Sequence, residues 1–227
     1  MKKSIGISLL LLAMTGSAQA QTEPEYRLEV GGAVAAVTYL GDFNSALFKD
    51  MQPMGSLLAK YRLDPRKALA FSVSYGQLKG SFRNAKTFYP DITDYAFKST
   101  LVDVGLRFEY NFWSYGTGQE YRGAKRLTPY IFLGVGATIA KADTADKTDA
   151  AVNVPLGGGV KYKMADRVNL ALEWAMHFTG SDMLDGVKDP YGIQSSGLFK
   201  NTDCYSMLQL SVTYDLWAKC KTCHNDR

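Results

Sequence analysis

The sequence predicts an all-β protein, an eight-stranded antiparallel transmembrane up-and-down β-barrel. Three observations carry that expectation. The stretch Leu101 to Trp113 alternates strictly, with Val102, Val104, Leu106, Phe108, Tyr110 and Phe112 against Asp103, Gly105, Arg107, Glu109 and Asn111. A period of two marks a strand with one apolar and one polar face. Seven further stretches repeat the pattern, and an even strand number is what bacterial outer-membrane barrels have. The connections between them run mostly long, then mostly short, in turn.

The length of the Leu101 to Trp113 stretch separates a barrel from a soluble sheet. Thirteen residues at about 3.3 Å each, tilted by about 45°, cover roughly 30 Å of height, the thickness of a bilayer's hydrocarbon layer. The apolar face then meets lipid and the polar face lines the interior. Phe112, Trp113 and Tyr115 gather at its end as an interfacial aromatic girdle.

Met1 to Ala20 reads as a secretory signal peptide: Lys2 and Lys3, an apolar run from Ile5 to Met14, and the small-x-small site Ala18-Gln19-Ala20. The mature chain is expected from Gln21, with residues 21 to 227 forming the barrel. No cysteine follows the cleavage site to carry a lipid anchor, and no later stretch is long and apolar enough for a membrane helix. Without Lys2 and Lys3 the formal charge falls from +4 to +2, too little to suggest a nucleic-acid partner.

Taken in order, Leu28 to Thr38 is the first strand and Gly55 to Leu63 the second, the latter with Leu57, Ala59, Tyr61 and Leu63 against Ser56, Lys60 and Arg62. Asp64-Pro65-Arg66-Lys67 is a tight turn, since proline presets the turn dihedral and aspartate bonds the backbone beyond it. Leu69, Phe71, Val73 and Tyr75 define the third strand, and Leu101 to Trp113 is the fourth. Ser114 to Arg126 connects to Pro129 to Ile139, whose other face holds Tyr130, Phe132, Gly134, Gly136 and Thr138, glycines standing where a narrow interior needs room. Val152 to Met164, Val168 to Phe178 and a last strand ending at Leu216 complete the set. Long loops are expected before Gly55, from Lys79 to Ser99 and from Thr179 to Thr202.

The expected interior gathers Arg27, Lys60, Arg62, Arg107, Lys161 and Lys163 against Glu29, Asp103, Glu109, Glu173 and Asp215. So balanced a set reads as a paired network, and an eight-stranded barrel has room for little more than side chains. Transport of a small solute is the alternative use of such a lumen. A barrel enzyme would have to employ His177, inward near the outer rim, with Asp182 and Asp185 in the next loop. No nucleophile accompanies it, so the expectation is that the protein is not an enzyme.

The three cysteines divide in two. Cys204 lies a strand length from Cys220, roughly 40 Å at strand rise, whereas a disulfide needs Cα atoms within about 7 Å. Cys220 and Cys223 are therefore the candidate disulfide, and Cys204 stays a thiol. Cys220-Lys221-Thr222-Cys223-His224 also matches the C-x-x-C-H pattern of covalent haem attachment. Only three residues follow it, leaving nothing to bury a porphyrin, so no cofactor and no metal are expected.

Several phrases resemble one family. Tyr39-Leu40-Gly41-Asp42, Tyr61-Arg62-Leu63-Asp64-Pro65-Arg66-Lys67-Ala68 with Tyr75-Gly76, Glu109-Tyr110-Asn111-Phe112, Thr128-Pro129-Tyr130 and Gly157-Gly158-Gly159-Val160-Lys161-Tyr162 are similar to the PorG family. Asp182-Met183-Leu184-Asp185 and Asp203-Cys204-Tyr205 resemble two more of its loop phrases. The resemblance implies an outer-membrane component of the type IX protein secretion system that anchors a periplasmic ring of PorK and PorN. The runner-up is a general small barrel that stabilises the envelope or binds surface ligands. If the ring reading holds, contact comes from the periplasmic side, where both termini are expected. Ser114 to Arg126 is the largest surface there, with Glu120, Tyr121, Arg122, Lys125 and Arg126 as candidate contacts, a mixture of aromatic and arginine that binding hot spots favour.

Overall fold

A computed structural model describes residues 26–40, 50–81, 96–116, 124–143, 148–180 and 203–218. Outside them lie the expected signal peptide and the expected start at Gln21, and also Glu120, Tyr121, Arg122, Asp182, Asp185, Cys220, Cys223 and His224.

Eight strands, β1 (Tyr26–Leu40), β2 (Gln52–Asp64), β3 (Lys67–Ser81), β4 (Ala96–Asn111), β5 (Leu127–Ala142), β6 (Asp149–Ala165), β7 (Val168–Thr179) and β8 (Cys204–Ala218), close into one antiparallel barrel. Each strand pairs with its sequence neighbour, and β1 pairs with β8 from Tyr26 opposite Ala218 to Leu40 opposite Cys204. Closure leaves no sheet edge, which a lipid surround requires because it offers the backbone no hydrogen bonds.

Burial is inverted relative to a water-soluble protein. Leu57 is 71% exposed and Val34 68%, while Lys60, Glu109, Glu173 and Asp215 are at most 1% exposed. The alternation read from the sequence holds on β2 to β8 with the faces as expected: Leu106, Phe108, Ile131, Leu133, Leu156 and Leu210 point out, and Arg107, Tyr130, Lys161 and Gln209 point in.

One rim, the turn rim, carries the β2–β3 and β6–β7 turns, the β4–β5 connection and the strand ends Tyr26 and Ala218. Asp64 makes the first turn as the sequence implies, its Oδ1 accepting from the backbone N–H of Arg66 (2.7 Å) and Lys67 (2.8 Å). The opposite rim, the loop rim, carries the other four connections.

Several expectations are corrected. β4 runs from Ala96 and ends at Asn111, so Phe112 and Trp113 lie beyond it, the latter tied through its backbone N–H to Thr128 Oγ1 (3.1 Å). The connection from β4 to β5 therefore spans residues 112–126, longer than the loop-rim connection 143–148, and the short-long alternation fails at that pair. On β1, Tyr26 rather than Arg27 turns in: Lys163 Nζ lies 5.1 Å from its ring, and Arg27 Nη1 reaches the outward Tyr61 hydroxyl at 3.4 Å. Trp217, on the facing stretch of β8, has a left-handed backbone (φ 55°) and is 67% exposed, so the alternation of faces breaks at this corner of the rim.

Many inward residues near the loop rim are apolar, which the sequence reading missed. Val37, Tyr39, Met54, Leu78, Leu101, Tyr205 and Met207 form a buried cluster there. The inward glycines do make room: a Cβ on Gly157 would lie 2.6 Å from the Phe132 ring and 2.3 Å from the Trp174 carbonyl oxygen.

Candidate functional site: the filled lumen and the turn rim

The lumen is packed in layers. Nearest the turn rim, Arg62 Nη2 bridges Glu29 Oε2 (2.9 Å) and Asp215 Oδ1 (3.1 Å), joining β2 to β1 and β8. Lys163 Nζ contacts Asp215 Oδ2 at 2.5 Å, and Asn169 Nδ2 donates to Asp215 Oδ1 at 2.9 Å. The Thr213 hydroxyl donates to Glu29.

The next layer centres on Glu109. It meets Lys161 Nζ at 2.5 Å, Arg107 Nε at 3.2 Å and Lys60 Nζ at 3.3 Å. The last two lie at ion-pair distance but off the hydrogen-bonding line. Arg107 also grips Glu173 with both terminal nitrogens, at 2.7 and 2.9 Å, the two-pronged geometry that suits guanidinium and carboxylate. Gln209 (3.0 Å) and the Tyr130 hydroxyl complete the shell of Glu173. Lys161 and Arg107 lie 4.3 and 4.5 Å from the Tyr130 and Phe132 rings, so aromatic faces fill what the ion pairs leave.

Toward the loop rim Asp103 departs from the expected ion pairing. Its Oδ2 accepts from the hydroxyls of Tyr205 (2.8 Å) and Thr138 (3.1 Å) and from Asn153, while His177 Nδ1 stands 4.0 Å away. Neutral donors thus solvate this carboxylate in place of a cation. His177 stacks on Tyr205 at 4.3 Å, and neither ring nitrogen hydrogen-bonds a serine. Beside it is a cavity of about 10 Å³ lined in part by Ser72, Ser74, Asp103 and Arg107, space for one water.

Between the rims the buried strand charges balance: Lys60, Arg62, Arg107, Lys161 and Lys163 give five positive, and Glu29, Asp103, Glu109, Glu173 and Asp215 give five negative, while Asp203, buried just before β8, accepts from the Tyr39 hydroxyl. Such a lumen is a structural core in which ion pairs compensate every one of these ten strand charges but Asp103, which neutral donors solvate. Among the described residues, buried side chains fill the layers between the two rims.

At the turn rim, the β4–β5 connection folds back under the barrel. The Tyr115 N–H donates to Pro65 O (3.1 Å), Asn111 N–H to Arg66 O (2.7 Å), and Lys125 N–H to Ser114 O (2.7 Å), pairing Tyr115 with Lys125 in a parallel bridge. Tyr115 is correspondingly not part of the outer girdle. It is 4% exposed, and its hydroxyl donates into the lumen to Asn169 Oδ1 at 2.9 Å, with Arg62 5.1 Å from its ring. Burial above all, with Glu29 and Asp215 nearby, holds its phenol above the ordinary tyrosine range, so it stays a donor. Phe112 and Trp113 do stand outside, 48% and 40% exposed.

Of the five candidate contact residues, the structure describes Lys125 and Arg126, both exposed at the turn rim. Lys125 Nζ sits 4.4 Å from the Trp113 ring, which places a cation and an indole together on that surface. Cys204 stands as a thiol on β8.

A family model described as "Domain of unknown function (DUF6089)" matches residues 3–225. No curated protein is similar in sequence. Among solved structures, Neisserial surface protein A (NspA) is similar with a TM-score of 0.51 and 18% identity, over 83% of this chain and 97% of that one. Ail, the attachment invasion locus protein of Yersinia pestis, gives a TM-score of 0.47 and 12% identity over 86% of this chain and 100% of its own. A major outer membrane protein from Thermus thermophilus gives 0.43 and 12%, over 83% and 99%. The likeness to NspA shows the fold, a closed eight-stranded barrel.

Proposed function

This chain belongs to the DUF6089 family, and we propose that it is an outer-membrane barrel of the type IX protein secretion machinery that holds the periplasmic PorK and PorN ring at the membrane through its turn rim. One observation carries the reading: the lumen is filled and the turn end is closed by Tyr115, so the barrel has only its surfaces to offer. Among those surfaces, the described part of the 112–126 connection is built into the rim by backbone hydrogen bonds and exposes Trp113, Lys125 and Arg126. The PorG resemblance supplies the partners, and the turn rim, with both strand ends nearest the termini, is the periplasmic side on this reading.

Shortening residues 117–124 to a tight turn tests it. The barrel is expected to keep its heat-modifiable gel migration and to lose PorK and PorN in a detergent pull-down. Retention of the ring proteins by that variant, with their loss when residues 181–202 of the opposite rim are cut, overturns the proposal.

A further inference from the structure

Two features of the outer face are unused by the proposed anchoring. Beyond the turn-rim residues Arg27 and Lys67, the outward positions of the described strands carry charge at Lys79, Lys98 and Lys141 only. All three are exposed, on the adjacent strands β3, β4 and β5 near the loop rim. Lys79 and Lys98 are direct cross-strand partners, and Lys141 is opposite Thr100, one step diagonally from Lys98. Like charges set opposite one another on a sheet disfavour the pairing, and none of the three has an ion-pair partner among the described residues. The carboxylates described in that corner are the exposed Asp143, whose backbone N–H donates to Lys98 O, and Asp149, which shares the inward face of Ala140. Immediately below the lysines the apolar band begins, at Tyr75, Val102 and Ile139.

The second feature is a groove of about 540 Å³ on the outer face of β8, β1, β2 and β3, floored by Gly32 and Gly55 and walled by Val34, Leu57, Val73 and Tyr75. These glycines differ from Gly134, Gly157 and Gly159, where a Cβ would fall within 2.5 Å of a carbonyl oxygen of a facing strand. A Cβ on Gly55 would meet nothing within 4 Å, and one on Gly32 would meet only the Ser56 oxygen at 3.5 Å. Glycine in a strand weakens it and gives nothing to pack, so the chain's own packing does not account for either residue. The wall residue Tyr75 lies four positions before Lys79 on β3, about 13 Å along the strand.

We propose that this face binds an anionic, phosphate-bearing lipid, its headgroup held by Lys79, Lys98 and Lys141 and one acyl chain laid in the groove over Gly32 and Gly55. The three ammoniums are opposite in sign to a lipid phosphate and stand where the apolar band gives way to polar residues. The groove matches a hydrocarbon chain, being apolar and within acyl-chain reach of the lysines. A free phosphate has no use for the groove. The inference rests on the barrel's lying in a bilayer and is independent of ring anchoring.

The test uses the full chain refolded into vesicles of phosphatidylcholine, with or without phosphatidylglycerol, and native mass spectrometry of the lipids retained after detergent extraction. Wild type is expected to retain phosphatidylglycerol over phosphatidylcholine by roughly tenfold or more, given what a lysine contributes near an anionic headgroup. The triple variant Lys79→Gln, Lys98→Gln, Lys141→Gln loses the preference. Gly55→Leu, which the space at that position admits without disturbing the wall, lowers the retention of both lipids while gel migration reports an intact barrel. Persistence of the preference in the triple variant overturns the proposal, as does unchanged retention in Gly55→Leu. A wild-type dimer that Gly55→Leu dissolves would make the groove a contact between copies, and also overturns it. Neither variant touches the surface proposed for PorK and PorN, so this reading and the anchoring reading fail separately.

Discussion

Replacing Glu109 with glutamine removes one negative charge from a layer where three cations converge on it. Lys161 lies 2.5 Å away, Arg107 Nε 3.2 Å and Lys60 3.3 Å, and each is at most 5% exposed. Arg107 keeps Glu173, but Lys60 and Lys161 then face a neutral amide, and the sum over the ten strand charges moves from zero to one positive. Removing one partner from a buried ion pair costs about 3 to 5 kcal/mol, because the charge left behind is neither solvated nor compensated. Glu109→Gln is expected to lose that much. The double variant Glu109→Gln, Lys161→Gln restores the sum to zero and should recover at least about 1 kcal/mol of it, the coupling expected of residues in contact. The assay is urea unfolding of the barrel in vesicles, followed by tryptophan fluorescence. Trp113 lies at the turn rim and Trp174 within β7, so the signal reports more than one level of the barrel. A Glu109→Gln loss below about 1 kcal/mol would refute the claim that the lumen is a compensated charge network.

Other perturbations address other parts of the molecule. Leu106→Arg, on the outward face of β4 and 49% exposed, is expected to cost about 2 to 4 kcal/mol in bilayers; equal stability to wild type in the same urea titration would mean the faces are misassigned. Gly159→Ala puts a Cβ 2.3 Å from the Leu172 oxygen and is expected to cost about 1 to 3 kcal/mol, whereas Gly55→Ala should be neutral or slightly stabilising; the same titration reads both. Tyr115→Ala opens the turn end, yet planar-bilayer conductance should stay at baseline because the Glu109 layer still fills the cross-section. Stable conductance steps from that variant would show that Tyr115 is the seal.

Much of this is legible in the sequence because a barrel wall has two unlike sides. Where lipid lies outside and charges inside, as from Leu106 to Tyr110, the alternation is unambiguous and every residue's face follows from its parity. On β1 near the loop rim both sides are largely apolar. Val34 and Ala36 face out while Val37 and Tyr39 face in, so parity carries no contrast there and the inner apolar cluster stays hidden. Tyr26 and Arg27 exchange roles because the alternation breaks at Trp217 on the facing strand, a property of two strands that neither shows alone. By its charge Asp103 reads as an ion-pair member, but its partners come from β5, β6 and β8 and are neutral. Tyr115 reads as girdle from its neighbours Phe112 and Trp113. Its inward turn depends on bonds to Pro65, remote in sequence.

The wiring of the interior constrains how the barrel can be assembled. Glu109 on β4 draws its compensation from β2 and β6, and Asp215 on β8 draws its own from β2 and β6 as well. The contacts skip over the intervening strands and cross the bore. A half-inserted sheet of four or five strands would have its hydrogen bonds to sequence neighbours but would expose uncancelled carboxylates and ammoniums to hydrocarbon on its concave side. Stepwise entry of hairpins into lipid is thereby disfavoured. On the outer-membrane reading, a sheet wired in this way is expected to curl while its concave side is still hydrated and to enter the bilayer as β1 meets β8, with water leaving the bore last.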